Sequence, residues 1–117
     1  MGGKARPKQP YKIKPRKTVK GILNECVRLF KSGAWTQGDY IKFYPRDGGS
    51  LDASGQCYCA LGALMQCNLN IDSAEYKAAR AAVRDQLPMG AIVGWNDDLD
   101  RTPEEVIEVF EKAAASV

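Results

Sequence analysis

Apolar residues recur early in the chain with the period of a helix. Val19, Ile22, Leu23, Cys26, Val27 and Phe30 stand at i, i+3, i+4, i+7, i+8 and i+11, which makes one continuous stripe. Thr18 is placed to cap the start of this helix, and Gly33, just after Lys31, to stop it. The pattern then changes. Ala34-Trp35-Thr36-Gln37-Gly38 reads as a turn-like link. Tyr40 to Tyr44 is aromatic and β-branched and ends at Pro45, which reads as a short strand. Residues 46–50 have turn chemistry, and a returning strand is expected near Leu51 or at Gln56-Cys57-Tyr58. An apolar run over 59–68 predicts a short buried helix, with Gly62 inside it for close backbone packing. Ser73 caps a third helix reaching about Leu87, with Tyr76, Ala79, Val83 and Leu87 inward. Residues 89–101 read as irregular. Thr102-Pro103-Glu104-Glu105 is a capping box with proline in the first turn. Its helix carries a stripe of Val106, Val109, Phe110, Ala113 and Val117, with Glu104, Glu105, Glu108 and Glu111 outside. The expected fold is mainly α: one domain of about four helices over 18–117, with one possible short β-hairpin.

The first 17 residues break this pattern. Pro7, Pro10 and Pro15 alternate with cations and exclude a regular helix, so an extended basic arm is expected. Tyr11 and Ile13 are its only sizeable apolar side chains, and they anchor it either to a partner or to its own domain.

Charge sharpens the division. The net charge of the 117 residues is +3, but residues 1–20 hold Lys4, Arg6, Lys8, Lys12, Lys14, Arg16, Lys17 and Lys20 and no acid. The remainder is net acidic. A flexible cationic arm on an acidic domain suits a polyanion: its lysines neutralise phosphates and release counterions, with little base specificity. Nucleic acid or the ribosome is the partner this arm suggests; a solvated tail is the competing reading. No apolar run approaches the length that spans a bilayer, and no apolar stretch follows the basic N-terminus as in a secretory signal. A cytoplasmic protein with no membrane contact is expected.

Catalysis makes specific demands on the chemistry-bearing residues. Tetrahedral zinc needs four converging ligands, yet Cys59 and Cys67 on one helix would lie about 12 Å apart along its axis. Cys26 falls on a core stripe. No metal or cofactor is expected. Cys59 at a helix start has the position of an activated thiol, but a papain-like mechanism requires a histidine and the chain has none. No catalytic residue is assigned. The segment Trp95-Asn96-Asp97-Asp98-Leu99-Asp100-Arg101 lacks the glycine and terminal glutamate of a calcium loop. Its Asn and Asp residues serve either a ligand or the turns and caps they commonly build. Gln37 beside Trp35 faces the same choice between bonding a loop and pointing into a cleft. Together Trp35, Gln37, Cys59, Trp95, Asn96, Asp97 and Arg101 suggest one shared binding surface.

Three ordered motifs carry a resemblance: Trp35-Thr36-Gln37-Gly38, Cys59-Ala60-Leu61-Gly62-Ala63, and Trp95-Asn96-Asp97 followed by Arg101-Thr102-Pro103-Glu104-Glu105-Val106. Over roughly 22–115 the chain resembles a family of small proteins of unknown function found in actinobacteria and their bacteriophages. That resemblance implies no activity. It leads to the expectation of a non-enzymatic, phage-encoded accessory binding protein with a basic arm for nucleic acid and a Trp-lined polar surface for a host or phage protein. The alternatives are a protein that sequesters a nucleotide-like host signalling molecule between its indoles, and a structural component of a virion or assembly.

Overall fold

The helix α1 (Val19–Lys31) forms where the apolar stripe was read, capped by the Thr18 hydroxyl, which accepts from the Gly21 amide. A computed structural model describes residues 10–44, 49–88 and 90–117. In it α1 packs against α5 (Pro103–Ala115), α3 (Ala74–Arg84) and α2 (Ala60–Gln66). Phe30 and Phe110 meet edge to face with centroids 5.2 Å apart, an arrangement favoured by the ring quadrupoles. Ile22, Leu23, Cys26, Leu29 and Phe110 have no exposed surface. The fold is mainly α; the described residues form five helices and a two-stranded antiparallel sheet, β1 (Ile41–Lys42) and β2 (Cys57–Tyr58), in which Ile41 pairs with Tyr58 and Lys42 with Cys57.

Four expectations change. The stretch read as irregular contains a short helix, α4 (Ile92–Asn96), which has no side-chain cap of its own. Its residues show no helical repeat, and what holds it is the tertiary hydrogen bonding of Asn96 described below. The link at 34–36 is extended rather than a turn: Tyr58 donates to the Ala34 carbonyl at 2.9 Å and Thr36 to the Tyr58 carbonyl at 3.0 Å, so it lies alongside β2. Val117 is 48% exposed rather than part of the core, because α5 ends at Ala115 and the chain leaves the helix face. The strand expected over 40–44 pairs only at Ile41–Lys42, and Phe43 and Tyr44 are exposed. Positions 46–48 of the expected turn lie outside the described residues, as do Lys4, Arg6 and Lys8.

A charge sits inside this core. Glu25 is on α1, one turn from Leu29, and is fully buried. Its carboxylate accepts from the Tyr11 hydroxyl at 2.6 Å, the Lys14 amide at 2.9 Å and the Arg16 Nε at 3.2 Å. Arg28 Nε and a terminal guanidinium nitrogen reach the same oxygen as Arg16, at 3.3 and 3.1 Å. Desolvation works to raise the Glu25 pKa, but the Tyr11, Lys14, Arg28 and Arg16 donors outweigh it, and the group stays below the ordinary glutamate value. Residues 10–17 are therefore an extended segment laid on the domain. The Arg16 amide donates to the Cys67 carbonyl at 2.7 Å, its own carbonyl accepts from Asn68 at 2.8 Å, and Ala53 donates to the Tyr11 carbonyl at 2.8 Å. Of the two anchoring possibilities for Tyr11 and Ile13, the structure shows the domain: both pack against the core.

Gly62 is required by contact rather than by flexibility. A Cβ there would overlap the carbonyl oxygen of Tyr40, whose carbonyl also accepts from the Cys59 amide at 3.1 Å.

Two outcomes follow. Glu25→Ala strips a buried partner from Tyr11 and the Lys14 amide and should cost about 3 kcal/mol in urea unfolding. The arginines are part-exposed, so their share is the smaller one. Because the Glu25 pKa is lowered in the fold, its contribution is complete above the ordinary glutamate value and is lost as pH falls through the lowered one. The stability gap between the natural chain and Glu25→Gln should accordingly shrink in acid. Gly62→Ala, which helix propensity alone would make stabilising by about 1 kcal/mol, should instead lower the melting temperature, with a cost of about 2 kcal/mol from overpacking.

Candidate functional site

Asn96 ends α4 with its side chain fully buried. A primary amide offers two acceptor lone pairs and two N–H donors, and all four are used here. Oδ1 accepts from the Trp35 indole at 2.7 Å and from the Ala60 amide at 2.9 Å. Nδ2 donates to the Thr36 carbonyl at 3.1 Å and to Asp97 Oδ1 at 3.0 Å. Ala60 is the first residue of α2, so Asn96 satisfies an orphan helix amide that no neighbour in sequence reaches. Around it, Gln37 Nε2 donates to the carbonyls of Asn96 at 2.9 Å and Asp98 at 2.7 Å, and the Gly38 amide donates to Asp97 Oδ1 at 3.0 Å. Three segments distant in sequence are thus joined by one polar network.

Cys59 belongs to the same region. It caps α2, with its sulfur accepting from the Gly62 amide at 3.4 Å, and it is buried. Burial raises its pKa more than the Gly62 and Leu61 amides lower it, which keeps the thiol protonated at neutral pH. Trp95 is half-buried, and its ring face is covered by the Arg101 guanidinium, 4.0 Å from the centroid. Arg101 Nε also donates to the Trp95 carbonyl at 2.9 Å, and its terminal nitrogens reach Glu105 at 3.5 Å and Asp98 at 4.0 Å. This ties α4 to the capping box of α5.

The seven residues expected to share a surface are therefore neighbours, but with different tasks. Trp35 is 2% exposed and Asn96 not at all. Cys59 and Asp97 line a hollow of about 250 Å³ bounded also by Gly38, Asp39, Tyr40 and Val93.

The described part of the basic arm has a clear sidedness. Along 11–14 the extended backbone alternates, with Tyr11 and Ile13 toward the core and Lys12 and Lys14 exposed. Lys17 is exposed too. Arg16 is committed to Glu25, and Lys20 Nζ donates to the Ala114 carbonyl at the C-terminal end of α5, at 2.9 Å. The sequence reading missed Glu25, Asp52 and Asn68. Glu25 had a signal, an acid next to the apolar stripe of α1 with an acid-free cationic segment upstream. Asp52 accepts from the Ser54 and Gln56 amides at 2.9 and 3.0 Å and from the Tyr58 hydroxyl, whose pKa is driven up by burial and by that carboxylate. Nothing in sequence pairs it with Tyr58.

A model of one family matches residues 14–116, nearly the whole chain. The chain belongs to the family of unknown function DUF6197. The DUF6197 match begins at Lys14, inside the extended segment, so it takes in Arg16, Glu25 and the complete Asn96 network while Tyr11 and Lys12 precede it. No curated protein and no solved structure matches the chain. Among the described residues no three Cys, Asp or Glu side chains converge as metal ligands, and no helix is long and apolar enough to cross a membrane.

Removing the hub should be costly. Asn96→Ala removes the acceptor that the Trp35 and Ala60 N–H groups share and a donor to the Thr36 carbonyl, an expected loss of about 3 kcal/mol in chemical denaturation. Arg101→Ala removes a partly exposed clamp and should cost about 1 kcal/mol. Equal costs for the two would contradict the hub.

Proposed function

We propose that this protein is a non-enzymatic binding module that holds nucleic acid along its basic N-terminal segment. The observation that carries this reading is the clamping of residues 11–16 by Glu25, which turns Lys12 and Lys14 outward, with Lys17 also exposed three residues on. Lysines two apart on an extended backbone are spaced by about 6.6 Å. Upstream, Lys4, Arg6 and Lys8 lengthen the same acid-free run. Fixing cations in advance reduces the ordering cost when phosphates bind. Affinity then comes from phosphate neutralisation and counterion release, and it falls steeply with salt.

The Asn96 network has a supporting part in this proposal. Its buried, fully bonded groups hold the domain's loops together, and its outer edge at Asp39, Tyr40 and Asp97 is the surface a protein partner would meet. A protein of this kind, in the phage setting implied by the resemblance, would serve as an accessory factor in the host cytoplasm.

The test is anisotropy titration of labelled oligonucleotides with the full chain over a range of salt. The triple variant Lys12→Gln, Lys14→Gln, Lys17→Gln should bind at least about tenfold more weakly, and the slope of log K against log salt should flatten by about 2. Unchanged affinity and slope would reject the reading.

A further inference from the structure

Leu69 is the one non-glycine residue with positive φ among the described residues, at 69°. It follows α2, where glycine or asparagine ordinarily takes the left-handed conformation without penalty. A leucine there is unfavourable for the backbone, and at 65% exposure it is unfavourable for hydration as well. Its amide donates to the Met65 carbonyl at 3.0 Å, which holds the strained turn in place. Neither cost brings a packing gain within the domain.

What Leu69 does form is one wall of a hollow of about 370 Å³. Ile13 and Pro15 of the extended segment also line it, as does Lys12. Gln66, half-buried, contributes a side-chain amide that no other described residue engages. Asp52, Ser54 and Tyr58, which bond to one another, complete the lining with Ala53. The hollow therefore combines apolar side chains from two segments, an amide unengaged by the described residues, a carboxylate already held by its neighbours, and a cation. That cation belongs to the lysine row that carries the proposed function.

We propose that this hollow takes an unstacked base of a single-stranded nucleic acid whose phosphates lie along Lys12, Lys14 and Lys17, an inference that rests on the nucleic-acid reading above. The apolar walls contact the two faces of the base, and the Gln66 amide bonds its edge, as a donor and acceptor pair can. The volume is within the range of small-ligand sites. A duplex keeps its bases stacked and paired, so only a single strand, loop or bulge can place one there while its backbone follows the segment. The exposed lysines suit a phosphate chain, whose charges repeat at every nucleotide and whose bound counterions are released on neutralisation. The free amide adds a planar hydrogen-bonding partner that an aliphatic peptide side chain would leave unused.

The experiment compares the full chain with Leu69→Gly and Gln66→Ala. The probes are a labelled mixed-sequence single strand, the duplex of the same sequence, and a Glu/Leu-rich peptide. Both variants should bind the single strand about tenfold more weakly, with duplex affinity and the salt slope unchanged. Leu69→Gly should also melt at a higher temperature than the natural chain, so its loss of binding cannot be assigned to unfolding. If both variants keep full single-strand affinity while the triple lysine variant loses it, the pocket inference is overturned and the nucleic-acid reading survives. If the natural chain binds neither oligonucleotide, both fail. Peptide binding that depends on Leu69 while the single strand is unaffected would make the occupant a protein and overturn the inference.

Discussion

A carboxylate without exposed surface, surrounded by five hydrogen bonds, decides how this chain begins. Glu25 lies on the central helix, and desolvating its charge is costly enough that the structure must supply compensating donors. Two of them, the Tyr11 hydroxyl and the Lys14 amide, come from a segment that composition alone would leave extended and unattached. The Arg16 and Arg28 guanidiniums complete the set at the solvent boundary. Once that carboxylate is buried, the direction of the segment is settled. Tyr11 and Ile13 must face inward, and by the period of an extended backbone Lys12 and Lys14 must face out. The lysine row is thus a consequence of satisfying a buried acid.

On the other side of the core a neutral group does comparable work by saturation. Asn96 spends every hydrogen-bonding capacity it has on groups from three segments. Such a network specifies one arrangement, because moving any segment leaves a buried donor or acceptor unpaired. A polar, tryptophan-rich set of residues thus serves as a joint between segments, whatever else its edge contacts. The proposed interaction surfaces lie at its edge and along the extended segment, where polar groups remain unspent.

Legibility in the sequence followed the range of the forces involved. The helices α1, α3 and α5 were readable because their apolar periods and caps are local: Thr18, Ser73 and Thr102 each accept from an amide three residues on. The pairing of β1 with β2 was readable only as a choice between two returning strands. The gathering of Trp35, Gln37, Asn96 and Asp97 was anticipated as a shared cluster, yet its nature was not, since an asparagine that binds a ligand and one that joins loops are the same letter. Glu25, Asp52 and Leu69 passed unread for a related reason: burial, a Tyr58 partner and a positive φ are properties of position in space.

The sequence by itself determined the helical class, the caps, the apolar faces and the separation of an acid-free cationic beginning from an acidic remainder. These depend on spacings of a few residues along one backbone. Tertiary structure alone decided that α4 exists, that the basic segment is laid on the domain rather than free of it, and that Trp35 is enclosed while Leu69 is exposed. Each of those outcomes depends on whether a polar group finds its partner across tens of residues of chain, and such partners are set by packing rather than by local pattern.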